Sequence, residues 1–392
     1  MDFEFSEEEQ AFATEVAAFL QEVHSDDVMQ PWKENFTQLV DTQPKRDFLK
    51  KLADKGWLGI TWPKELGGQE GPGVLEYLLN EALAYVGAPQ IGKGIGIIGK
   101  TLIRHGSDKL KAEFLPKILN AEVEFAVGYS EPQAGSDAAN MQLRADKVEG
   151  GWNLNGQKIW TSGAAQAQWM FGLFRTDPEA PKHRGITMFL LDMRSAGIAT
   201  QPIVTAKETA GIIEWDINEV FFEDVRIPVA NRIGEENKGF TYQMTQFQEE
   251  RLWAAANMIG GLEDAVTETT DYARQRQAFG RSILDNQVVH FRLAELSTEI
   301  ESLCALTYQA CEQYVAGDNV TRLASMAKLK AGRLGREVAD ACLQYFGGQG
   351  YMAEARISRL YRDVRLASIG AGADEIMLTI ICKQDGTLPG QQ

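Results

Sequence analysis

The chain has 392 residues, carries a net charge of −16 at pH 7, and is 44% hydrophobic. This length and balance are typical of a globular protein with two or three domains and a large core, which excludes a disordered chain. Because a surface this acidic would repel phosphate backbones, nucleic acid is not expected as a partner.

The cysteines and the start of the chain indicate a compartment. The four cysteines are dispersed and form no C-x-x-C pair, which is typical of a reducing environment. The first residues are acidic, whereas secretory and organellar leaders begin basic. The apolar runs fall short of the roughly 18 residues that suggest a membrane span. We therefore expect a cytoplasmic protein without stable membrane insertion.

Residues 1–122 have the periodicity of helices and are predicted to form an N-terminal helical domain. Ser6 and Glu9 match the S-x-x-E capping box that begins many helices. Glycine and proline separate four further predicted helices, at 46–55, 74–86, 91–105 and 108–119.

Residues 123–233 change to short β-rich segments separated by turn residues. The predicted strands are 140–148, 152–158, 169–175, 186–192, 198–204 and 217–222. Few helical stretches lie between them, so an antiparallel β-barrel or sandwich is expected rather than a parallel sheet.

Residues 234–392 return to long helices and are predicted to form a C-terminal four-helix bundle. Its helices are predicted at 239–276, 287–316, 322–346 and 374–383. The fold class is therefore α+β, in the order helical domain, β domain, helical bundle.

Two familiar cofactor patterns are not supported. Gly94–Gly99 matches G-x-G-x-x-G, but a dinucleotide site needs a preceding strand, and this segment is helical in pattern. We interpret these glycines as packing residues. The four histidines have no Glu three residues before them, which disfavours a di-iron site in the bundle. No metal site is predicted.

Two segments near the helix–β junction have a composition suited to a ligand. Residues 129–137 read Y-S-E-P-Q-A-G-S-D and offer backbone N–H groups and hydroxyls for a flavin edge or a phosphate, although a plain polar turn is the alternative. Trp160 stands beside Thr161 and Ser162, which suits a flat ring system, although it could belong to the core.

Seven segments in order resemble the acyl-CoA dehydrogenase family over almost the whole chain. They are Y-S-E-P-x-A-G-S-D (129–137), N-G-x-K-x-W-T-S-G (155–163), N-E-V-F-F-E-D-V-R-I-P (218–228), G-E-E-N-K-G-F (234–240), R-Q-R-Q-A-F-G-R (274–281), Q-x-F-G-G-x-G-Y (344–351), and R-D-V-R-L-A-S-I-G-A-G (362–372). The resemblance implies the same helix–β–helix fold, bound FAD and a homotetramer. It also implies α,β-dehydrogenation of an acyl-CoA thioester to the trans-2-enoyl-CoA in fatty acid or other lipid metabolism. The electrons would pass to an electron-transfer flavoprotein.

The resemblance assigns site residues position by position. Against the isoalloxazine it places Tyr129, Ser130, Trp160 and Ser162, with the Ser162 hydroxyl near N5. Residues implied to meet the FAD of a neighbouring subunit are Arg276, Phe279, Gln344, Gly347 and Gly348, and Gln287 is also assigned to the cofactor. Substrate binding is assigned to Ser136, at the CoA moiety, and to Arg251, Gly370 and Ala371.

The catalytic base departs from the common family pattern. Many members carry it in a Y-E-G-T stretch, but Ala371 stands there and cannot take a proton. The sequence resembles the isovaleryl-CoA and long-chain subgroups, in which the Glu lies on an earlier helix just before an Arg. The candidates here are Glu249 and Glu250, which precede Arg251.

A helical projection separates the two candidates. The apolar stripe is formed by Phe240, Met244, Phe247, Ala254 and Met258, in register with Arg251. At about 100° per residue, Glu250 lies roughly 80° from the stripe centre and Glu249 roughly 180° away. Glu250 is therefore predicted to be the base and Glu249 to face solvent; an ordinary salt bridge is the alternative for Glu250.

The substrate and the electron acceptor stay open. Small residues at 370 and 371 favour a branched or bulky acyl chain. The alternatives are an acyl-CoA oxidase that uses O₂, and a subunit of a heteromeric dehydrogenase acting on steroid side chains. Asp374 and Glu375 are interpreted as first-turn helix acids, favoured there by the helix dipole.

Overall fold

The computed structural model describes residues 5–29, 40–206 and 216–390. The chain divides into two compact units. The helical unit comprises Met1–Phe36, Pro72–Gln90 and Glu250–Gln392, and the sheet unit comprises Thr37–Gly71 and Ile91–Glu249. The predicted boundaries near residues 122 and 233 remain a prediction.

Helices occupy both ends of the described chain. The α-helices are α1 (Glu7–Glu22), α2 (Gln43–Asp54), α3 (Gly73–Tyr85), α4 (Lys100–His105), α5 (Asp108–Leu119), α6 (Gly239–Gln275), α7 (Gln287–Val315), α8 (Thr321–Phe346), α9 (Arg356–Asp363) and α10 (Asp374–Gln384). None of the described helices is long and apolar enough to cross a bilayer.

Most strands lie between the two helical regions, and one short hairpin lies within the second helical region. They are β1 (Phe125–Gly128), β2 (Arg144–Val148), β3 (Gly151–Ser162), β4 (Trp169–Arg175), β5 (Ile186–Asp192), β6 (Ile198–Pro202), β7 (Ile217–Pro228), β8 (Arg232–Ile233), β9 (Gln277–Ala278) and β10 (Arg281–Ser282). The predicted order of helical region, β region and helical region is therefore confirmed.

The helical unit is organised around apolar seams on α6, α7 and α8. Buried residues on α7 recur at spacings of three and four, which places them on one face of the helix. They meet small buried residues of α8, where alanines allow close approach, and together with α6 form one continuous core. Helix α1 begins with the predicted capping box, in which the Glu9 N–H donates to Ser6 Oγ (3.3 Å) and the Ser6 N–H donates to Glu9 Oε2 (2.7 Å).

The sheet unit contains one eight-stranded sheet in the order β6-β7-β3-β2-β4-β5-β8, with β1 paired to β4. Most pairings are antiparallel, but β1–β4 and β2–β4 are parallel. The expected antiparallel β domain is confirmed in its main pairings, and the two parallel pairings make the sheet mixed. Alternation within strands predicts which face is buried, but not which distant strand supplies the neighbour. Trp152, Phe174, Phe189 and Phe222 fill the core beside this sheet.

Gly94–Gly99 forms one π-helical turn that leads into α4, with no strand directly before it. The interpretation as packing glycines is confirmed at Gly99, where a Cβ would lie 2.1 Å from the Trp62 ring. The expected single helix over 91–105 is instead this π-helical turn followed by a short α-helix. Such turns often occur at functional sites.

Candidate active site

A buried ion pair fixes the polar 129–137 segment to strand β3. Lys158 Nζ donates to Glu131 Oε1 (2.8 Å), and both side chains are at most 1% exposed. The same ammonium donates to the Tyr129 carbonyl (3.2 Å), and Ile159 N donates to the Ser130 carbonyl (3.0 Å). Two residues of the predicted flavin face are thus held against the strand that carries Trp160.

The Glu131 carboxylate is also saturated with backbone donors. Leu143 N donates to both of its oxygens, at 3.0 and 3.1 Å, and Gln142 N donates to Oε2 at 2.6 Å. Burial lowers the pKa of Lys158, while the charge of Glu131 opposes that shift. Nothing in the local pattern predicts this pair; its one signal in the sequence is a Lys and a Glu that each stand inside a ligand-type motif.

Trp160 is held in an unusual backbone conformation and is exposed. Its φ is +58°, in the left-handed region that a bulky residue seldom adopts, and its side chain is 57% exposed. The conformation coincides with an irregularity in the β3–β7 pairing between Lys158 and Thr161. Strain of this kind persists only where its surroundings impose it, and it clusters at ligand sites.

The surroundings of Trp160 fit a flat cofactor. The indole is presented outward beside Ser162, at the end of β3. Thr161 Oγ1 is buried without a hydrogen-bond partner among the described residues. The Tyr129 ring meets Phe171 and Phe247 edge-on, with ring centroids 6.1 and 6.2 Å apart. Tyr129, Ser130, Trp160 and Ser162 all belong to the sheet unit.

Ser136, assigned to the CoA moiety, lies in an exposed loop of the sheet unit. The adjacent Asp137 is paired with Lys182 (2.8 Å), and both side chains are exposed. The loop therefore presents a hydroxyl to solvent, where a large polar ligand could reach it.

Helix α6 carries the two candidate bases and corrects the helical projection. The Glu249 side chain is only 9% exposed, so the prediction that it faces solvent is wrong. It forms an ion pair with Arg104 and accepts a hydrogen bond from Gln246 Nε2 (2.9 Å). Met244, placed in the apolar stripe, is exposed instead.

The projection failed because the buried side of α6 is polar at this end. Gln243 and Gln246 are buried there, and Gln246 Nε2 also donates to the Gly96 carbonyl of the π-helical turn (2.9 Å). A stripe drawn through apolar residues alone cannot locate a face lined with amides. Glu249 is therefore committed to a structural network within the sheet unit.

Glu250 is partly buried, and it is the first residue of α6 that belongs to the helical unit. Arg251 beside it is 5% exposed, as predicted for a charge within the stripe. Burial lowers the pKa of Arg251, and the charge of Glu250 raises it. The two groups therefore interact electrostatically, and Glu250 is the acid that offsets the burial of Arg251.

The Gly370–Ala371 segment is a tight turn in the helical unit. Gly370 N donates to the Leu366 carbonyl (2.8 Å), and Ala371 has a φ of +52°. The buried Lys328 of α8 donates through its Nζ to the Gly372 carbonyl. Burial lowers the pKa of Lys328 to about 8, against the opposing charge of Asp374. Asp374 and Glu375 lie in the first turn of α10, as expected.

A two-residue hairpin follows α6 and presents Phe279. Strands β9 and β10 pair, and the turn residues Phe279 and Gly280 have φ values of +53° and +80°. This is the sign pattern of a type I′ turn, which rarely holds a phenylalanine. The Phe279 side chain is fully exposed, and Arg276 before the hairpin is also exposed.

Gln287 and Gln344 line one open groove between α7 and α8. Its other lining residues include Val288, Phe291 and Tyr345. Gly347 and Gly348 follow Gln344 at the end of α8; both are exposed, and a Cβ on either would meet nothing within 4 Å. These assigned residues share one surface region of the helical unit.

Family models match nearly all of the chain. The N-terminal domain of acyl-CoA dehydrogenase matches residues 6–122, the middle domain matches 126–225, and the C-terminal domain matches 237–384.

Individual relatives agree with the family models. Mitochondrial isovaleryl-CoA dehydrogenase from Pongo abelii is 31% identical over 96% of this chain and 88% of its own. Subunit CarC of the caffeyl-CoA reductase–Etf complex from Acetobacterium woodii is 30% identical over 89% of this chain and 93% of its own. The crystal structure of acyl-CoA dehydrogenase from Geobacillus kaustophilus superposes with a TM-score of 0.87, 31% identity, and coverage of 98% of this chain and 99% of that one. The chain belongs to the acyl-CoA dehydrogenase family, whose members are FAD-dependent oxidoreductases acting on CH–CH bonds.

Proposed function

We propose that this protein dehydrogenates a branched or bulky acyl-CoA thioester to the trans-2-enoyl-CoA, with Glu250 as the catalytic base. One observation carries the assignment of the base: Glu249 is bound to Arg104 and Gln246, whereas Glu250 lies beside the buried Arg251. Ala371 at the usual position of the base has no group that accepts a proton.

The chain's own residues account for the proton-transfer half of the reaction. Glu250 takes the α-proton of the thioester, whose carbonyl acidifies that carbon. A base must be ionised to accept a proton, and the neighbouring cation of Arg251 favours the ionised state. Bound FAD supplies the two-electron acceptor for the β-hydrogen.

The sheet unit provides the residues that would hold the flavin ring. Trp160 and Ser162 end strand β3, and hydrogen bonds from Lys158 Nζ and Ile159 N hold Tyr129 and Ser130 beside that strand. The outward indole of Trp160 suits stacking, and the hydroxyls suit the polar edge of the ring.

The class of acyl group is proposed from the small residues that stand where many family members carry the catalytic Glu. Gly370 and Ala371 leave room where other members carry Tyr and Glu. The similarity to an isovaleryl-CoA dehydrogenase is consistent with a branched acyl chain. Initial rates on short branched, medium straight and polycyclic acyl-CoA esters, compared as kcat/KM, test this substrate class.

We propose an electron-transfer flavoprotein as the acceptor and the cytoplasm as the location. One similar protein is a subunit of a complex with Etf, which supports that acceptor. Steady-state rates with an electron-transfer flavoprotein should exceed those with O₂ alone. Faster turnover with O₂ would instead identify an acyl-CoA oxidase.

The test of the base is Glu250→Gln, with Glu249→Gln as the matched neighbour. Glu250→Gln should keep FAD bound but slow anaerobic bleaching of the flavin by acyl-CoA by about 10²- to 10⁴-fold, the usual contribution of a general base. Glu249→Gln should bleach at a rate close to wild type, provided that the variant is folded. Stopped-flow absorbance at the flavin band measures both.

The opposite pattern would assign the base to Glu249. Near wild-type bleaching by Glu250→Gln would remove the proposed role of Glu250. A wild-type protein that binds FAD but is bleached by no acyl-CoA ester would favour a subunit of a heteromeric dehydrogenase.

A further inference from the structure

Lys93 lies against the turn that ends the predicted flavin face. Its Nζ donates to the Ser162 carbonyl (3.3 Å), and a Cβ added at Gly163 would lie 3.4 Å from the same Nζ. Lys93 directly precedes the π-helical turn Gly94–Gly99, so its backbone is fixed by a packed element. The family resemblance assigns no role to this lysine.

Two acidic residues from separate parts of the sheet unit, Glu124 and Asp216, interact electrostatically with Lys93. Glu124 precedes β1, where its N–H donates to Gln168 Oε1 (2.7 Å) and its carbonyl accepts from Gln168 N (3.1 Å). Asp216 precedes β7, is buried, and accepts from Gly163 N through its carbonyl (2.6 Å). The Ser162–Gly163 turn is thus held by Lys93 on one carbonyl and by Asp216 on the next N–H.

The charges of this cluster are balanced closely. Burial lowers the pKa of Lys93 to about 8, and the charges of Glu124 and Asp216 oppose that shift. Burial raises the pKa of Glu124 to about 7, opposed by the charges of Lys93 and then of Arg46 on α2. Burial therefore brings both pKa values towards neutral pH, and the Lys93 ammonium lies beside the Ser162 carbonyl.

We propose that Lys93 is a positioning residue for the flavin: its ammonium group fixes the Ser162–Gly163 turn and places a positive charge beside the ring. The inference rests on the proposed position of Ser162 against the flavin. Charge near the ring tunes its electronics, and a cation favours the reduced form because that form carries more negative charge. Lys93 should therefore raise the midpoint potential of bound FAD, and Glu124 should set the pH range of that effect.

The experiment compares Lys93→Met and Lys93→Arg in the FAD-loaded protein. The midpoint potential is measured by dye-coupled reductive titration between pH 6 and 9, without any acyl-CoA. In wild type, the midpoint potential of FAD should fall more steeply as pH rises through about 8, where the ammonium loses its proton, than the flavin's own pH dependence requires. This extra decrease is the added fall. Lys93→Met should have a lower potential at pH 6.5 and should lack that fall, while Lys93→Arg should keep the higher potential over the whole range.

Lys147→Met and Glu124→Gln complete the design. Lys147 is an exposed lysine of the same unit, so its loss should leave the potential unchanged. Glu124→Gln removes a charge that supports the protonated Lys93, so the added fall should move to lower pH. If Lys93→Met does not retain FAD, the inference is tested by Glu124→Gln alone, through the pH at which its midpoint potential shows the added fall.

An unchanged potential in Lys93→Met, or an unmoved fall in Glu124→Gln, would overturn the inference. Neither measurement uses acyl-CoA, so failure of the proposed dehydrogenation would appear separately, as a wild-type flavin that no ester bleaches.

Discussion

At the scale of single residues, the Lys158–Glu131 pair shows how a charged couple can organise a cofactor face. A buried ion pair contributes little net stability, because desolvation of the two groups offsets their attraction. Removal of one partner is different, because it leaves the other charged group buried and uncompensated. The pair is thus better understood as a device that fixes Tyr129 and Ser130 in one geometry.

Lys158→Met should therefore lower the free energy of unfolding by about 3–5 kcal/mol, since Glu131 would remain in a site that is closed to water. Urea denaturation followed by circular dichroism measures the loss. The matched control is Lys182→Met, which breaks the exposed pair with Asp137 and should cost less than about 1 kcal/mol.

The double variant Lys158→Met with Glu131→Gln separates charge from packing. It should recover part of the stability, because the buried carboxylate is no longer charged. Equal losses in Lys158→Met and Lys182→Met would show that the buried Glu131 does not depend on the Lys158 ammonium.

At the scale of elements, local pattern predicts the helices and strands well but not their partners. Helix α5 and strands β4 and β5 lie at the predicted bounds, because periodicity and turn residues are local properties. The parallel pairings of β4 depend on strands far away in the sequence.

The burial of Glu249 shows the same limit within the site. Its partner Arg104 lies 145 positions away, so no helical projection of α6 could place it. Lys93 was missed for the same reason, because its contact with Ser162 joins residues 69 positions apart. The motif residues could be assigned from the sequence because each stands in a segment with its own signature, such as 129–137 and 155–163, and their roles stay predictions.

The turn before α10 is an element whose rigidity gives a prediction about specificity. Gly370 is fixed by its bond to Leu366, and Lys328 holds the Gly372 carbonyl. Because the turn is held by these bonds, it cannot move to make room for a tyrosine at 370. The tyrosine ring should therefore fill the proposed acyl space. Gly370→Tyr should lower kcat/KM for branched acyl-CoA esters by about tenfold or more, the cost of misfit at a tight apolar contact. Straight-chain esters should be spared.

Ile369→Tyr is the matched control, because Ile369 is the exposed neighbour on the same turn. It should leave the ratio of the two kcat/KM values unchanged. Equal losses on branched and straight esters in Gly370→Tyr would remove the argument for a roomier pocket.

At the scale of the whole molecule, the helical unit exposes several large apolar side chains. Phe279 and Tyr351 are almost wholly exposed, and Val288 and Phe291 stand open at the groove that contains Gln287 and Gln344. Exposed apolar groups grouped with polar ones are typical of protein interfaces. We propose that they bury against other copies of this chain in a homotetramer, with Arg276 and Gln344 reaching a neighbouring FAD.

Phe279→Asp tests whether assembly and cofactor binding are one property. The side chain projects from a strained turn and is fully exposed, so it buries no surface against its own unit. Its replacement should therefore not lower the stability of the fold. A carboxylate buried in an interface without a partner is costly, so the oligomer should dissociate at micromolar concentration. If neighbouring subunits complete the flavin site, FAD should be lost in parallel. Sedimentation velocity detected at both protein and flavin wavelengths measures the two together.

Val148→Asp is the control, because it adds the same charge at an exposed apolar position on β2 of the sheet unit. It should stay assembled and yellow. Dissociation of Phe279→Asp with full retention of FAD would show that each chain holds its cofactor alone, and the roles proposed for Arg276 and Gln344 at a neighbouring FAD would then fail. Because the two outcomes differ in the flavin signal and not in the size of the particle, a single experiment separates an oligomer that merely stabilises the protein from one that completes its active site.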